Sequence, residues 1–414
     1  MHRSWAALLL LACAAGHAQQ QVVKPPIAVY WMSVETAAGM GLPGIDGLMA
    51  GMMGPRAASG RRLVLQLGSQ RPAEGAPRAD HFIPAAMNMG ASLPLVTPAR
   101  PRPEPEERET GLPEGMEEPK GRMLVYWGCG EAVRPGQPVV IDFARVARGE
   151  KPAGLVSRRV AAGSPPAPGR SRTYGDWPNP QDQKPVPANA SLRGEHQVRG
   201  NYSPDIRFVL GEGHDFMDRV ELAVAPRGAG AAQVRWNAVG TATGYFATAM
   251  GAAEGKGGEE VVFWSSSEVQ EMGSMLMSYV PPGEVARLIR EKVVLAPSVT
   301  ECTVPAEVLK RAGGAMMLHF IAYGPEANFA HPPRPQDPKQ PWEPLWAVKA
   351  RFKSTASTLL GEESAASERR AGRPREERAA EPAREERAAE PARKPAAPDP
   401  VKEGIEVLRG IFRR

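Results

Sequence analysis

The sequence lacks the motifs that mark the best-known classes of enzyme. Its 414 residues include only three cysteines, and these form no C-x-x-C pair of the kind that binds zinc. No two histidines have the helical spacing of zinc hydrolases, and there is no G-x-S-x-G elbow or phosphate-binding glycine loop. We therefore expect neither a metal nor another cofactor, and a non-catalytic role is favoured over an enzymatic one.

Charge of one sign is not concentrated in any long stretch of the chain. The formal net charge is +5, but acidic and basic residues are mixed, and no basic stretch is interleaved with aromatic residues. The sequence therefore predicts no nucleic-acid partner.

Residues 1–18 have the pattern of a secretory signal peptide. A basic residue, Arg3, precedes a short apolar core that ends in small residues. Such a segment is too short to span a membrane and is removed on export. We predict an exported protein of the periplasm or cell envelope. In an alternative interpretation the stretch L-L-A-C resembles a bacterial lipobox, and Cys13 carries a lipid anchor.

Export would leave Cys129 and Cys302 as the mature cysteines, in a compartment where disulfides form and persist. Two cysteines allow one intramolecular connectivity, and the bridge would close a loop of about 170 residues. The alternative is that Cys129, between two glycines in WGCGE, is a reactive thiol, although no cationic residue adjoins it to activate it.

Residues 19–218 are predicted to form an N-terminal β-rich domain. Apolar and β-branched runs such as IAVYWMSVET and RMLVYW are typical of strands. A stretch rich in proline and glutamate at 98–121, and one rich in proline and glycine at 151–187, predict flexible insertions in this domain. The region has no recognisable family.

Residues 219–360 carry a family resemblance. Strand-like runs separated by turns extend from RVELAVAP to LWAVKARFKST, and VRWNAVGTATGY places Trp236 on one strand and Tyr245 on the next. This pattern resembles the fibronectin type III domain over about residues 219–354. The resemblance implies a sandwich of two antiparallel sheets with Trp236 buried. It also implies a spacer or binding module rather than a catalyst.

Two short helices are predicted within this sandwich. PPGEVARLIREK has Val285, Leu288 and Ile289 at helical spacing after a Pro-Gly start. VPAEVLKRAG has Pro305 before its helical residues and Gly313 after them. The expected fold class is mainly β, with an N-terminal β-rich domain followed by a decorated fibronectin type III-like sandwich.

Residues 361–400 differ in composition from the rest of the chain. REERAAEPA occurs twice in tandem, at 375–383 and 384–392, among very few large apolar residues. Such a segment cannot bury enough surface to offset the entropy of ordering it. We predict a disordered tether.

Residues 401–414 are predicted to form a short amphipathic helix. Apolar residues at helical spacing share one face: Val401, Ile405, Leu408 and Ile411 or Phe412. Short helices need a partner surface. The expected contacts are the protein's own surface, a partner groove or the anionic face of a membrane.

Fragments of catalytic motifs occur near the middle of the chain. GEH contains His196, and GHDF contains His214 beside Asp215. These three residues are candidates for a metal or acid–base site if the fold brings them together. Tyr174 and Trp177, in the loop TYGDWPNP, either stack on a sugar ring or hold the loop on the domain surface.

The predicted function is non-catalytic binding or scaffolding in the cell envelope. The expected partner is another envelope protein or a cell-wall glycan. The alternative is a periplasmic hydrolase or metal-binding protein with its site in the N-terminal region, where Tyr174, Trp177, His196, His214 and Asp215 cluster in the sequence.

Overall fold

A computed structural model describes residues 21–39, 59–99, 121–150, 154, 158–255, 258–273 and 275–361. All of them belong to one compact unit, residues 1–371, and the second unit, residues 372–414, lies outside them. The predicted signal peptide, Cys13, the amphipathic helix 401–414, and nearly all of the insertion 98–121 and of the tether 361–400 also lie outside the described residues.

The described residues are mainly β, as predicted from the sequence. Their sixteen strands are β1 (Ala28–Ala37), β2 (Gly60–Ser69), β3 (Ala79–Phe82), β4 (Ser92–Leu95), β5 (Arg122–Trp127), β6 (Val139–Asp142), β7 (Thr173–Trp177), β8 (Gly194–Gly200), β9 (Ile206–Leu210), β10 (Leu222–Arg227), β11 (Ala231–Trp236), β12 (Gly244–Gly255), β13 (Gly258–Ser265), β14 (Glu301–Val304), β15 (Ala315–His331) and β16 (Trp346–Gly361). The helices are α1 (Phe143–Ala147), α2 (Pro282–Arg290) and α3 (Ala306–Arg311), with 3-10 turns at Ala85–Met87 and Gly228–Gly230.

Nine strands form one continuous sheet, in the order β6-β5-β13-β12-β15-β16-β1-β2-β7. Its centre joins distant parts of the chain, because β1 pairs in parallel with β16 from Ala28 opposite Trp346 to Ala37 opposite Thr355. On its other side β1 pairs antiparallel with β2. Inner residues of β1 such as Tyr30 and Met32 are fully buried, as expected of a central strand with one face on a core.

The nine-stranded sheet contains strands from both sides of residue 219, where the sequence placed a domain boundary. The four strands that follow that position, β13, β12, β15 and β16, form the middle of the sheet, and strands that precede it lie at both ends, all within one compact unit. The range 151–187, predicted as a flexible insertion, contains β7, an edge strand of this sheet. Pairing over such long sequence separations is decided by tertiary contacts, which local composition does not report.

Two smaller sheets cover one face of the large sheet. The first has the order β4-β3-β8-β9 and the second the order β10-β11-β14. Phe208 of β9 contacts Tyr30 and Phe329 of the large sheet. Trp236 of β11 packs against Tyr245 and Phe320, with ring centroids 5.7 and 4.7 Å apart. One hydrophobic core runs through both interfaces.

The opposite face of the large sheet has a smaller core under helix α2. Val285 and Leu288 of α2 are fully buried there with Phe246 and Ile321 from the sheet. Both helices predicted from the sequence are present: α2 begins with the Pro-Gly pair, and α3 follows Pro305. None of the helices in the described part of the chain is long and apolar enough to cross a membrane.

Candidate binding site

Cys129 and Cys302 form a disulfide, as predicted, with their Cα atoms 5.2 Å apart. Cys302 lies on β14 of the three-stranded sheet, and Cys129 lies in the turn that follows β5 of the large sheet. The bond therefore joins the two layers of this sandwich covalently. It also removes Cys129 from consideration as a reactive thiol, since both sulfurs are bonded.

His196 lies in the core and takes part in a buried chain of hydrogen bonds. Its Nδ1 is 3.0 Å from Nε2 of His81, and Nδ1 of His81 is 2.9 Å from the hydroxyl of Tyr30. At the other end, Nε2 of His196 is 2.6 Å from the carbonyl oxygen of Leu192. Tyr30, His81 and His196 are all fully buried, so no substrate reaches this chain from solvent.

The carbonyl oxygen of Leu192, at one end of this series of hydrogen bonds, determines which atom is the donor in each bond. A carbonyl oxygen only accepts, so Nε2 of His196 carries a proton and its Nδ1 accepts from Nε2 of His81. His81 then accepts at Nδ1 from the hydroxyl of Tyr30. Burial lowers the pKa of His196 to about 4. Burial, and then the neighbouring His196, lowers the pKa of His81 well below 6.5. Both rings are therefore neutral at pH 7.

Asp215 holds the loop before β8 in place. Its carboxylate accepts hydrogen bonds from the hydroxyl of Ser191 at 2.6 Å, from the amide of Leu192 at 2.8 Å and from the amide of Phe216 at 2.8 Å. Arg193 lies 3.3 Å from the same carboxylate. These bonds use its oxygens for structure, and none of its hydrogen-bond partners is His196.

His214 does not complete the predicted site. Its ring lies 6.0 Å from the ring of Phe352, and its amide donates to the carbonyl of Gly211. Among the described residues no group of three or more histidine, cysteine, aspartate or glutamate side chains could hold a metal ion. His196 thus bonds the carbonyl oxygen of Leu192 and Asp215 bonds the amide of the same residue, with no hydrogen bond between the two side chains, and His214 takes part in neither contact.

Tyr174 and Trp177 are buried, at 5% and 2% exposure. The hydroxyl of Tyr174 donates to Asp176 at 3.2 Å and receives a hydrogen bond from Gln66 at 3.3 Å. Burial raises the pKa of Tyr174 to about 12. Neither ring offers an open face for a sugar, because both side chains are buried within the fold.

The most distinctive polar feature of the surface lies on the outer face of β1 and β16. The guanidinium of Arg351 sits between two aromatic rings, 4.7 Å from the ring centroid of Trp31 and 4.3 Å from that of Tyr279. Its Nε donates to the hydroxyl of Ser33 at 2.8 Å. We call Arg351, Trp31, Tyr279 and Ser33 the arginine clamp. It borders a small cavity that Gly163 and Pro325 also line.

The register of β1 against β16 brings the residues of the arginine clamp together. Alternate residues of a strand share a face, so Lys349, Arg351 and Lys353 of β16 all point away from the main core. Arg351 lies opposite Ser33 of β1, and Lys349 lies opposite Trp31. Tyr279, from the segment before α2, covers Arg351 from above the sheet, within 4.8 Å of Lys353 as well.

The other charged groups beside the clamp are paired. Lys349 is 2.6 Å from Glu326, and Lys353 is 3.7 Å from Glu35. Arg62 is 3.5 Å from the same Glu35. Burial lowers the pKa of Lys353, and Glu35 opposes this effect. Among the described residues, Lys349 and Lys353 each have a carboxylate beside them, whereas Arg351 has none within ion-pair distance, which leaves a positive charge suited to an anion.

Sequence reasoning did not identify the arginine clamp. One signal was present, since basic residues alternate with apolar residues in VKARFK, which marks a strand with one charged face. The aromatic partners gave no signal, because Trp31 and Tyr279 lie far from Arg351 in the sequence.

Searches for related proteins match no protein-family model, no curated protein and no solved structure.

Proposed function

We propose that this protein is an exported, non-catalytic binding or scaffolding protein of the bacterial cell envelope, with cell-wall glycan or another envelope protein as its partner. The disulfide between Cys129 and Cys302 supports the export part of the proposal, because such bonds persist in oxidising compartments.

A fibronectin type III-like sandwich is part of the proposal. Strands β10, β11 and β14 form one sheet, and β13, β12, β15 and β16 lie side by side in the other. Trp236 and Tyr245 pack together between these layers, and the hydroxyl of Tyr245 accepts from the amide of Val239. These contacts support the fibronectin type III-like part of the proposal and, with it, a binding module.

The arginine clamp is the observation that carries the binding role. Arg351 is a half-buried cation held on the outer face of a rigid sheet, and surface cations fixed in this way recognise anionic groups. By contrast, two of the three candidates for a catalytic role, His196 and Asp215, are engaged in structural hydrogen bonds.

Co-sedimentation with insoluble cell-wall glycan tests the proposal. We expect the purified mature protein to sediment with the glycan, and we expect the glycan to remain uncleaved after prolonged incubation. Arg351→Gln should reduce the bound fraction. Arg207→Gln, on exposed β9 away from the clamp, removes the same charge and should leave binding unchanged. Release of soluble fragments from the glycan would contradict the non-catalytic assignment.

A further inference from the structure

The described residues leave part of the guanidinium of Arg351 without hydrogen-bond acceptors. An arginine side chain has five N–H donors in one plane. The hydroxyl of Ser33 accepts from Nε. Within the described part of the chain, no acceptor forms a hydrogen bond with either terminal nitrogen. Two terminal nitrogens in one plane match the two oxygens of a carboxylate in a bidentate pair.

The two rings hold this donor plane in a fixed orientation. Trp31 and Tyr279 each lie within 5 Å of the guanidinium carbon, in the range of cation–π contacts. Trp31 itself is fixed from the side, because Gly163 lies so close that a Cβ there would be 2.9 Å from the indole Cη2. An arginine oriented before binding loses less side-chain entropy when an anion arrives.

The neighbouring charges favour an anion with a single charge. Glu326 and Glu35 are the carboxylates beside the clamp, paired with Lys349 and Lys353. An incoming dianion would meet repulsion from both glutamates. A singly charged carboxylate places one negative charge against Arg351, which among the described residues has no carboxylate within ion-pair distance.

We propose that the arginine clamp binds a carboxylate of the partner, through a bidentate pair with the terminal nitrogens of Arg351. This inference rests on the proposed binding function and names the chemical group that its surface recognises. The carboxylate belongs to a peptide C-terminus or to an acidic sugar of the glycan, and both sources offer the same planar, singly charged group.

Calorimetric titration of the full mature chain tests the inference. The probes are N-acetyl-dialanine, the same dipeptide as its C-terminal amide, glucuronate and inorganic phosphate. We expect a carboxylate probe to bind and the amide not to bind. The stronger of N-acetyl-dialanine and glucuronate identifies the source of the carboxylate.

Three variants distinguish carboxylate binding by the arginine clamp from binding through the overall positive charge of the protein. Arg351→Gln should weaken carboxylate binding about tenfold or more, since it removes a charge-assisted bidentate pair. Tyr279→Leu keeps every charge but removes one ring, and should weaken binding several-fold. Arg207→Gln removes the same charge as Arg351→Gln from a remote exposed strand and should bind as the parent does. Circular dichroism and the unfolding midpoint show whether each variant is folded.

The inference would be overturned by equal binding of the amide and the carboxylate, by unchanged binding in folded Arg351→Gln and Tyr279→Leu, or by tighter binding of phosphate than of either carboxylate. Absence of binding by both carboxylates would overturn it too. If the protein still sediments with glycan in that case, the proposed function stands and only the clamp assignment fails. If carboxylates bind but glycan does not, the clamp assignment stands and the glycan as partner fails.

Discussion

His196 donates from Nε2 to the carbonyl oxygen of Leu192 at 2.6 Å, and this contact sets the direction of each proton in the chain that leads through His81 to Tyr30. A second proton on His196 would place two donors face to face, its own Nδ1 and Nε2 of His81, and a second proton on His81 would place a charge in the core. This series of hydrogen bonds is therefore stable only while both imidazoles are neutral. The stability of the core thus depends on pH.

We expect the free energy of unfolding to decrease as the pH falls from about 6.5 to about 4. Burial lowers the pKa of His196 from 6.5 to about 4 in the folded chain, so within this window the unfolded chain binds a proton that the folded chain does not. The contribution of His196 is fully present above pH 6.5 and is on the order of 3 kcal/mol. Urea unfolding at several pH values measures it.

A triple variant provides the control for this pH dependence. Tyr30→Phe, His81→Leu and His196→Leu together remove the polar groups and retain apolar side chains in the core. The variant should lose the part of the pH dependence between 6.5 and 4 and keep the part due to carboxylates at lower pH. An unchanged slope in the variant would show that the two histidines do not cause it.

Asp215→Ala should destabilise the fold by about 1–3 kcal/mol, because it leaves the amides of Leu192 and Phe216 without their acceptor. The measurement is the urea midpoint at pH 7. Asp205 is a suitable control, since it is exposed and its contact with Arg199 is 3.9 Å long, so Asp205→Ala should change stability little. Loss of a catalytic activity without loss of stability in Asp215→Ala would contradict the structural role.

Removal of the disulfide should cost about 5 kcal/mol of stability. The bond between Cys129 and Cys302 closes a loop across a sequence separation of 173 residues, and cross-links over long loops remove much entropy from the unfolded chain. The double variant Cys129→Ala and Cys302→Ala should unfold at a clearly lower urea concentration than the oxidised parent. The parent unfolded in the presence of reductant should match the variant, and a variant as stable as the oxidised parent would contradict this prediction.

Trp236 should contribute to the stability of the fold through packing rather than through hydrogen bonding. Its ring lies between the two sheets at 5% exposure, and its Nε1 has no hydrogen-bond partner among the described residues. Trp236→Ala should cost about 3–5 kcal/mol because it leaves a cavity. Trp236→Phe should cost far less, since it keeps an aromatic ring against Tyr245 and Phe320. Equal losses in the two variants, measured by urea unfolding, would show that the indole N–H matters.

The features that could be predicted from the sequence are those that local patterns encode. Helices α2 and α3 follow from apolar spacing and flanking prolines, and the strands around Trp236 follow from β-branched and aromatic runs. The disulfide followed from a count of cysteines together with the predicted compartment. In each case the information lies within a few neighbouring residues or in the composition.

The candidate site and the buried histidines could not be predicted in the same way, because each depends on contacts between residues that lie far apart in the sequence. His196 meets His81 across 115 residues, and Arg351 meets Ser33 across 318 residues. Adjacency in the sequence suggested His214 and Asp215 as a pair, whereas the fold turned Asp215 toward the amide of Leu192. Burial of Trp177 depended equally on the pairing of β7 with β2.

The parallel pairing of β1 with β16 has a mechanical consequence. The two strands overlap over ten residue pairs, a length of about 30 Å. A pull on the N-terminal end of β1 against the C-terminal end of β16 slides one strand along the other, so that the interstrand hydrogen bonds share the load. A hairpin pulled at its open end instead separates one pair at a time. Along the line between these two ends, the protein is therefore built to withstand tension.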